Sequence, residues 1–181
     1  FNNTATGVFD FQSDAVMSHS GTAHNFNNAG LIKKTAGDGT AYFGSILNNT
    51  GTISVESGIL NMYSLVKTFD GGIYNVSTGS TLLLSTTINV SDELTGVLDG
   101  AMNWNNNVSV AQTASFNFTG TTGVTWTDGS LLGGGALTNE SLISLASNGS
   151  RYISGGTTLT NNGTVAMPLA GYLYLYDTAI F

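Results

Sequence analysis

Charged side chains are scarce in this sequence, and most of those present are acidic. Only 8% of the 181 residues are Asp, Glu, Lys or Arg, against roughly 25% in a typical soluble domain. Four basic and eleven acidic residues give a net charge of −7. A nucleic-acid-binding protein needs a basic surface that neutralises phosphates, and docking to an anionic membrane needs one as well. The composition therefore argues against nucleic acid and against an anionic membrane surface as partners.

Cysteine and long apolar runs are absent. Without cysteine, the chain has no disulfide framework of the kind common in small secreted domains. No apolar run approaches the roughly 18 residues of a membrane-spanning helix, so we expect no membrane insertion. The chain begins at Phe1 without a signal-like segment. We expect residues 1–181 to form one segment of a longer repetitive protein.

Helical patterning is missing too. No long segment has a 3.6-residue hydrophobic period, and Thr, Ser, Asn and Gly, which supply most of the polar positions, are poor helix formers. A period of two appears instead in TISVE (residues 52–56) and YLYLY (residues 172–176), which favours strands. Apolar residues make up 41% of the chain. This ordinary value predicts a folded β protein with a core.

A short phrase of one apolar residue followed by Asn, Thr and Gly recurs along the chain. Its copies are FNNTATG at Phe1, FNNAG at Phe26, LNNTG at Leu47, LTNES at Leu137 and LTNNG at Leu159. Neighbouring copies are separated by nearly equal steps of roughly 22 residues, and the stretch from Leu47 to Leu137 is four such steps long. The spacing predicts about eight units of this length, with the phrase at one position of every unit.

A unit of this length fits one coil of three short strands in a parallel β-helix, or β-solenoid. An antiparallel sandwich also has turns every 8–12 residues, but its hairpins need no sequence periodicity. Stacked coils would place the asparagines of successive units about 4.8 Å apart, where their amides can pair in ladders. The sequence therefore predicts an all-β fold, a parallel β-helix of about eight coils.

Two blocks of the chain, residues 26–62 and 124–167, resemble the Gly/Thr/Asn-rich repeats of large bacterial secreted surface proteins. The resemblance is to autotransporter passengers and filamentous-haemagglutinin-like adhesins. It implies secretion, a β-helix, and an extracellular or cell-surface location with a structural role. Because the similarity is one of repeat type, it transfers no catalytic residues.

Candidate catalytic residues are few. Asp70 and Asp92 lie one repeat unit apart, so stacked coils would bring two carboxylates together, as glycoside hydrolysis requires. Asp70 precedes glycine, however, as do three other aspartates, and Asp-Gly is typical of turns. The three glycines 133–135 lack the lysine and the helix of a phosphate-binding loop, and we interpret them as a corner of the solenoid. We predict no enzymatic activity.

Candidate metal ligands are equally few. His19 and His24 lie five residues apart, but a third ligand with suitable spacing is not evident. Adjacent Asp92 and Glu93 offer carboxylates for calcium, although no calcium-binding repeat accompanies them. We predict neither a metal site nor a cofactor.

A row of tyrosines is the most site-like feature. Tyr172, Tyr174 and Tyr176 alternate with Leu173 and Leu175, so on one strand the tyrosines share a face and the leucines point to the core. An exposed tyrosine row is a candidate contact face for a sugar or a protein. The alternative, that it packs under a neighbouring segment, stays open at this point.

The sequence thus predicts a non-catalytic extracellular structural or adhesive β-solenoid, either the stalk of a surface adhesin or a unit that stacks end to end into a filament. Its expected partners are further copies, neighbouring repeats, and glycans. One alternative is a polysaccharide-active β-helix enzyme, a lyase or glycosidase, which three or more carboxylates in one groove would favour. Another is a glycan- or ice-binding module. Regular Thr-x-Thr columns would favour ice, but TTLT and STT do not recur at one phase.

Overall fold

The computed structural model describes residues 1–22 and 24–181. Within these residues the fold is entirely β, and no helix has the length and hydropathy needed to cross a membrane. The chain winds into a parallel β-solenoid of about eight coils, roughly 22 residues each. The predicted fold class is therefore confirmed.

Coils 1–3 each have three short strands. These are β1 (Asn2–Asn3), β2 (Val8–Phe11) and β3 (Val16–Met17); β4 (Asn25–Asn28), β5 (Leu31–Lys34) and β6 (Thr40–Phe43); β7 (Ile46–Asn49), β8 (Thr52–Val55) and β9 (Ile59–Met62).

Coils 4–6 each have one long and one short strand, and coils 7 and 8 return to three. The former are β10 (Lys67–Val76) and β11 (Thr81–Leu84), β12 (Ile88–Val97) and β13 (Ala101–Asn105), β14 (Val108–Thr119) and β15 (Val124–Asp128). The latter are β16 (Ser130–Leu132), β17 (Ala136–Asn139) and β18 (Leu142–Ser144), then β19 (Ser150–Ile153), β20 (Thr158–Asn161) and β21 (Thr164–Ala166). A last strand, β22 (Tyr172–Leu175), stacks on β19.

The strands stack into three faces, and every pairing is parallel. The first face runs through β1, β4, β7, the starts of β10, β12 and β14, then β16, β19 and β22. The second face contains β2, β5, β8, the ends of the three long strands, β17 and β20. The third face runs from β3 to β21. The first corner joins faces one and two, and the second corner joins faces two and three.

The asparagine phrase does not keep one position in the coil, contrary to the sequence-based prediction. Asn49 ends β7 at the first corner, whereas Asn139 ends β17 at the second corner. The stacking register carries Leu47 through the long strands to Leu131, not to Leu137. The reason is that both corners need tight turns. In coils 4–6 the long strands continue around the first corner, and no copy of the phrase is present there.

The glycines 133–135 form the first corner of coil 7, as expected from the sequence. Gly133 and Gly134 have φ values of 114° and 79°, a backbone region that glycine enters without steric cost. A Cβ on Gly135 would lie 2.1 Å from the carbonyl oxygen of Gln112 in the coil below. These glycines therefore serve the backbone stacking, which explains the run without any ligand.

The interior is a continuous stack of apolar side chains. Alternate residues of most strands are buried, and counterparts in successive coils lie above one another. Trp104 of β13 and Trp126 of β15 are opposed in the register, and their rings stack with centroids 4.1 Å apart and planes 1° from parallel. Stacking of like residues is the direct result of a sequence period equal to the length of one coil.

A buried chain of amides runs up the first corner. Asn3 Nδ2 donates to Asn28 Oδ1 (2.7 Å), and Asn28 Nδ2 donates to Asn49 Oδ1 (2.6 Å). Asn49 Nδ2 donates to the Tyr74 hydroxyl (3.0 Å), which in turn donates to the Gly71 carbonyl oxygen (3.1 Å). In the described residues every buried side-chain nitrogen and oxygen has a hydrogen-bond partner. The predicted asparagine ladder exists, and it ends on a tyrosine.

Three of the four basic side chains are buried, which the sequence did not indicate. Lys34, Lys67 and Arg151 lie inside the solenoid and donate to backbone carbonyl oxygens at its turns. Lys67 Nζ donates to the Tyr63 oxygen (2.9 Å) and to the Leu65 oxygen. Buried carbonyl groups cost free energy unless they are hydrogen-bonded. These cations therefore stabilise the turns of the chain.

We expect the Asn28→Ala substitution to lower the free energy of unfolding by about 3 kcal/mol, because it leaves Asn3 and Asn49 without their amide partner in a buried position. Asn27→Ala is the matched control. Asn27 belongs to an exposed ladder with Asn2 and Asn48, where we expect a loss of about 0.5 kcal/mol. Denaturant unfolding measures both. Equal losses in the two variants would contradict a stabilising role for the buried chain.

Burial lowers the pKa of Lys67 from 10.5 to about 8. Between these values the unfolded chain holds more protons than the folded one, so the free energy of unfolding should rise with pH. We expect a gain of about 2 kcal/mol from pH 7.5 to 9.5, measured by denaturant unfolding. The slope should disappear in Lys67→Met and persist in Lys33→Met, which removes a half-buried surface lysine. A flat wild-type profile would refute this assignment.

Candidate functional site

The candidate acid pair does not stack. In the register Asp70 lies opposite Ser91, whose hydroxyl donates to Asp70 Oδ1 (2.7 Å), while Asp92 lies opposite Ala114. The register shifts between Asp70 and Gly72, and such a bulge adds one residue to a strand. Asp92 takes a φ of 60° and accepts a hydrogen bond from the Glu93 backbone NH. The spacing of one repeat unit was therefore a misleading sign of a carboxylate pair.

Each of the other carboxylates with side-chain partners contacts those partners separately from the other carboxylates. Asp14 pairs with Lys34 (3.0 Å) and accepts from the Gly39 NH (3.1 Å). Two glutamates accept hydrogen bonds from asparagine side chains in the next coil, Glu93 from Asn117 (2.8 Å) and Glu140 from Asn162 (2.7 Å). The second pair shows that Glu140 and Asn162 occupy the same coil position. These carboxylates serve the contacts between coils.

The candidate metal ligands are separated as well. His19 Nδ1 lies 3.3 Å from the Gly44 carbonyl oxygen, and His24 is exposed. Over residues 1–22 and 24–181 there is no group of three or more His, Asp or Glu side chains that could hold a metal ion.

Shifted pKa values belong to groups in the interior. Burial raises the pKa of the Tyr74 phenol far above its ordinary value, the hydrogen bond from Asn49 lowers it, and the charge of Asp70 raises it further. Burial lowers the pKa of Arg151, and the charge of Asp128 opposes this effect. Catalytic groups usually combine a shifted pKa with a position in a cleft, whereas Tyr74 and Arg151 lie within the solenoid.

The tyrosine row is open to solvent. Tyr172, Tyr174 and Tyr176 are 61%, 39% and 51% exposed, so the described residues leave them largely uncovered. Leu173 packs against the core as expected, but Leu175 is 51% exposed. The expectation for Leu175 was wrong because, among the described strands, β22 stacks on β19 alone and one of its edges is open.

A fourth tyrosine joins the row. Tyr152 lies opposite Tyr174 on the neighbouring strand, with ring centroids 5.6 Å apart and planes 16° from parallel. The ring centroid of Tyr174 is 5.8 Å from that of Tyr172 and 6.0 Å from that of Tyr176, which directly follows β22. Tyr152, Tyr172, Tyr174 and Tyr176 are called the tyrosine cluster below. The sequence contained a signal for Tyr152, which precedes Tyr174 by the length of one coil.

A row of small polar side chains continues along the same face. Outward-facing positions of the first face stack in register across coils 1–6, and this polar row consists of Asn2, Asn27, Asn48, Thr68, Asn89 and Ser109. Ser109 lies opposite Leu132 of coil 7, and backbone hydrogen bonds carry the same position through Ser154 to Tyr176. The polar row and the tyrosine cluster therefore share one face of the solenoid.

Two open clefts lie along the polar row. A cleft of about 300 Å³ over coils 1–3 is lined by side chains that include Asn27, Asn48 and Thr50. A second, of about 430 Å³ over coils 4–6, is lined by Asn89, Ser109, Gln112 and Asp70 among others. It lies beside the register shift that follows Asp70. Among the described residues that line either cleft, Asp70 alone carries a charge.

The arrangement defines a parallel β-solenoid whose first face presents amides and hydroxyls in coils 1–6 and phenols in the last coils, with Leu132 between the two groups. A comparison with protein-family models, curated proteins and solved structures found no match to this chain.

Proposed function

We propose that this chain is a non-catalytic, extracellular, structural and adhesive segment of a surface protein, as its repeat pattern suggests. The observation that carries the proposal is axial continuity. Three parallel backbone ladders and a common apolar stack run through the coils, and in coils 1–4 a buried amide chain adds side-chain links along the same direction. Each coil is held to its neighbours, as in other solenoids. This axial continuity suits a rod-shaped segment that serves as a spacer at a surface.

The separation of the acidic groups supports a non-catalytic role over the enzyme alternative. A glycosidase holds two carboxyl groups about 5–10 Å apart across its substrate. Here the larger cleft has the single carboxylate of Asp70, which already accepts a hydrogen bond from Ser91. No second acid lines that cleft in the described part of the chain.

We expect the protein to release neither reducing ends nor unsaturated products from neutral or uronic-acid polysaccharides, because a partner for Asp70 is missing from the cleft. Hydrolysis is measured by colorimetric detection of reducing ends. Lyase activity is measured by the ultraviolet absorbance of unsaturated uronates. The Asp70→Asn variant is the control for contaminating activity. Product release by the wild type that is abolished in Asp70→Asn would overturn the non-catalytic assignment.

Association along the axis is the second part of the proposal. In the structure the first coil exposes Phe1, Val8 and Val16, and the last turns expose Met167 and Ile180. Strand edges at the two ends of a solenoid present backbone groups that can pair with another chain. A further copy or a neighbouring repeat would continue the three ladders and cover these apolar side chains.

We expect concentration-dependent assembly in sedimentation velocity, weakened by Val8→Lys, because a charge at an open strand edge opposes edge-to-edge pairing. Ile73→Lys is the matched control, since Ile73 is an exposed aliphatic residue on the side of coil 4. It should assemble like the wild type. A monomer at every concentration, or equal weakening by both substitutions, would contradict axial association.

A further inference from the structure

The first face combines two kinds of chemistry on outward-facing positions of the same stacked strands. The polar row presents amides and hydroxyls in six successive coils, and the tyrosine cluster begins two coils further on. A ligand that contacts both would have to be long and would have to lie along the solenoid axis.

The polar row has unused hydrogen-bonding capacity. Asn48 Nδ2 donates to Asn27 Oδ1 (2.8 Å), and Asn27 Nδ2 donates to Asn2 Oδ1 (2.8 Å). Each side-chain amide has two donor hydrogens and an oxygen with two lone pairs, so every exposed asparagine keeps a donor and an acceptor for another molecule. Alternating donors and acceptors match hydroxyl groups, which also do both.

The electrostatics of the face select an uncharged ligand. The clefts beside the polar row are lined by one acidic residue and, in the described chain, by no basic one. With a net charge of −7, the molecule repels polyanions at long range. Anionic polysaccharides and nucleic acids are therefore poor ligands for this face, whereas neutral hydroxyl-rich chains meet no repulsion.

The tyrosine cluster supplies the second element of sugar recognition. Its four rings lie 5.6–6.0 Å apart between neighbouring centroids, and those of Tyr172, Tyr174 and Tyr176 are exposed. Exposed aromatic rings offer apolar surface together with a polar hydroxyl tip, and the apolar faces of pyranose rings pack well on such surfaces. The position of Tyr176, in line with the polar row, joins the aromatic contacts to the hydrogen-bonding ones.

We propose that the first face binds a linear, uncharged polysaccharide laid along the solenoid axis, with the polar row contacting its hydroxyl groups and the tyrosine cluster packing on a sugar ring. The repeat of the face is one coil, about 4.8 Å, which is comparable to the advance per sugar in an extended chain. The inference names the ligand class of the adhesive function and rests on that proposed function only for its biological setting.

The test uses affinity electrophoresis and calorimetry of the whole chain with defined probes. The probes are cellohexaose and mannohexaose as neutral linear chains, cellobiose as a short chain, and oligogalacturonate as a charged chain. We expect a neutral hexasaccharide to bind, the disaccharide to bind at least tenfold more weakly because it spans fewer coils, and oligogalacturonate not to bind.

Substitutions on the face locate the site. We expect Tyr174→Ala and Asn48→Ala each to weaken hexasaccharide binding about tenfold, the effect of losing about 1.4 kcal/mol. The controls are Tyr42→Ala and Asn117→Ala, an exposed tyrosine on the third face and an exposed asparagine on the second. Both controls should bind like the wild type. Unfolding midpoints establish that all four variants are folded.

Several results would overturn the inference: no binding of either neutral hexasaccharide, preference for oligogalacturonate, or equal effects of the face and control substitutions. None of these would affect axial association or the absence of catalysis, which are measured separately. Conversely, cleavage of a bound hexasaccharide would support this binding face and contradict the non-catalytic role. The two proposals can therefore fail independently.

Discussion

Parallel backbone pairing between successive coils is the constraint on which the rest of this structure depends. Strands between the two ends accept and donate backbone hydrogen bonds along the axis to the strands one coil before and one coil after. A slip of one residue would turn every inward side chain outward, so the register is tightly specified. Once it is set, a residue type that recurs once per coil becomes a stack: of tryptophans in the interior, of amides at a corner, and of small polar groups on a face.

The corners pose the main energetic problem of such a chain. Every coil must turn three times within its short length, and several turns direct carbonyl groups toward the interior. This chain satisfies them with asparagine amides in some coils and with Lys34, Lys67 and Arg151 in others. Of the four basic residues only Lys33 is left outside the interior, so the surface is still poorer in positive charge than the composition indicates.

The period of the sequence predicted much of the fold, because parallel stacking brings positions one period apart into contact. It predicted the coil length, the asparagine ladder and the glycine corner at residues 133–135. It did not predict the corner at which a given asparagine phrase lies, since both corners accept the same turn residues. The bulge beside Asp70 left no sequence mark either, and it removed the stacking expected for Asp92.

The candidate site was predicted only in part for a related reason. Three tyrosines were visible as alternation within one strand, but the fourth and the polar row are aligned only across coils. Lysines in the interior could not be predicted from composition or spacing, because burial of a cation depends on which carbonyl groups the turns bring around it. The local pattern of a strand thus indicates which side chains it exposes. The register determines which side chains of the neighbouring strands lie beside them.

The Tyr74 hydroxyl gives the buried amide chain a direction. Every asparagine in that chain donates toward the later coils, and Tyr74 accepts the last hydrogen bond and passes its own to a backbone carbonyl. Duplication of a coil at or before coil 3 would lengthen the chain with each amide still paired. Insertion between coils 3 and 4 of a coil without an asparagine at this position would separate Asn49 from its acceptor. Coils that precede Tyr74 can therefore be duplicated without breaking the buried amide chain, whereas the contact between Asn49 and Tyr74 has to be kept. The junction between coils 3 and 4 is thus a boundary for growth by repeat duplication.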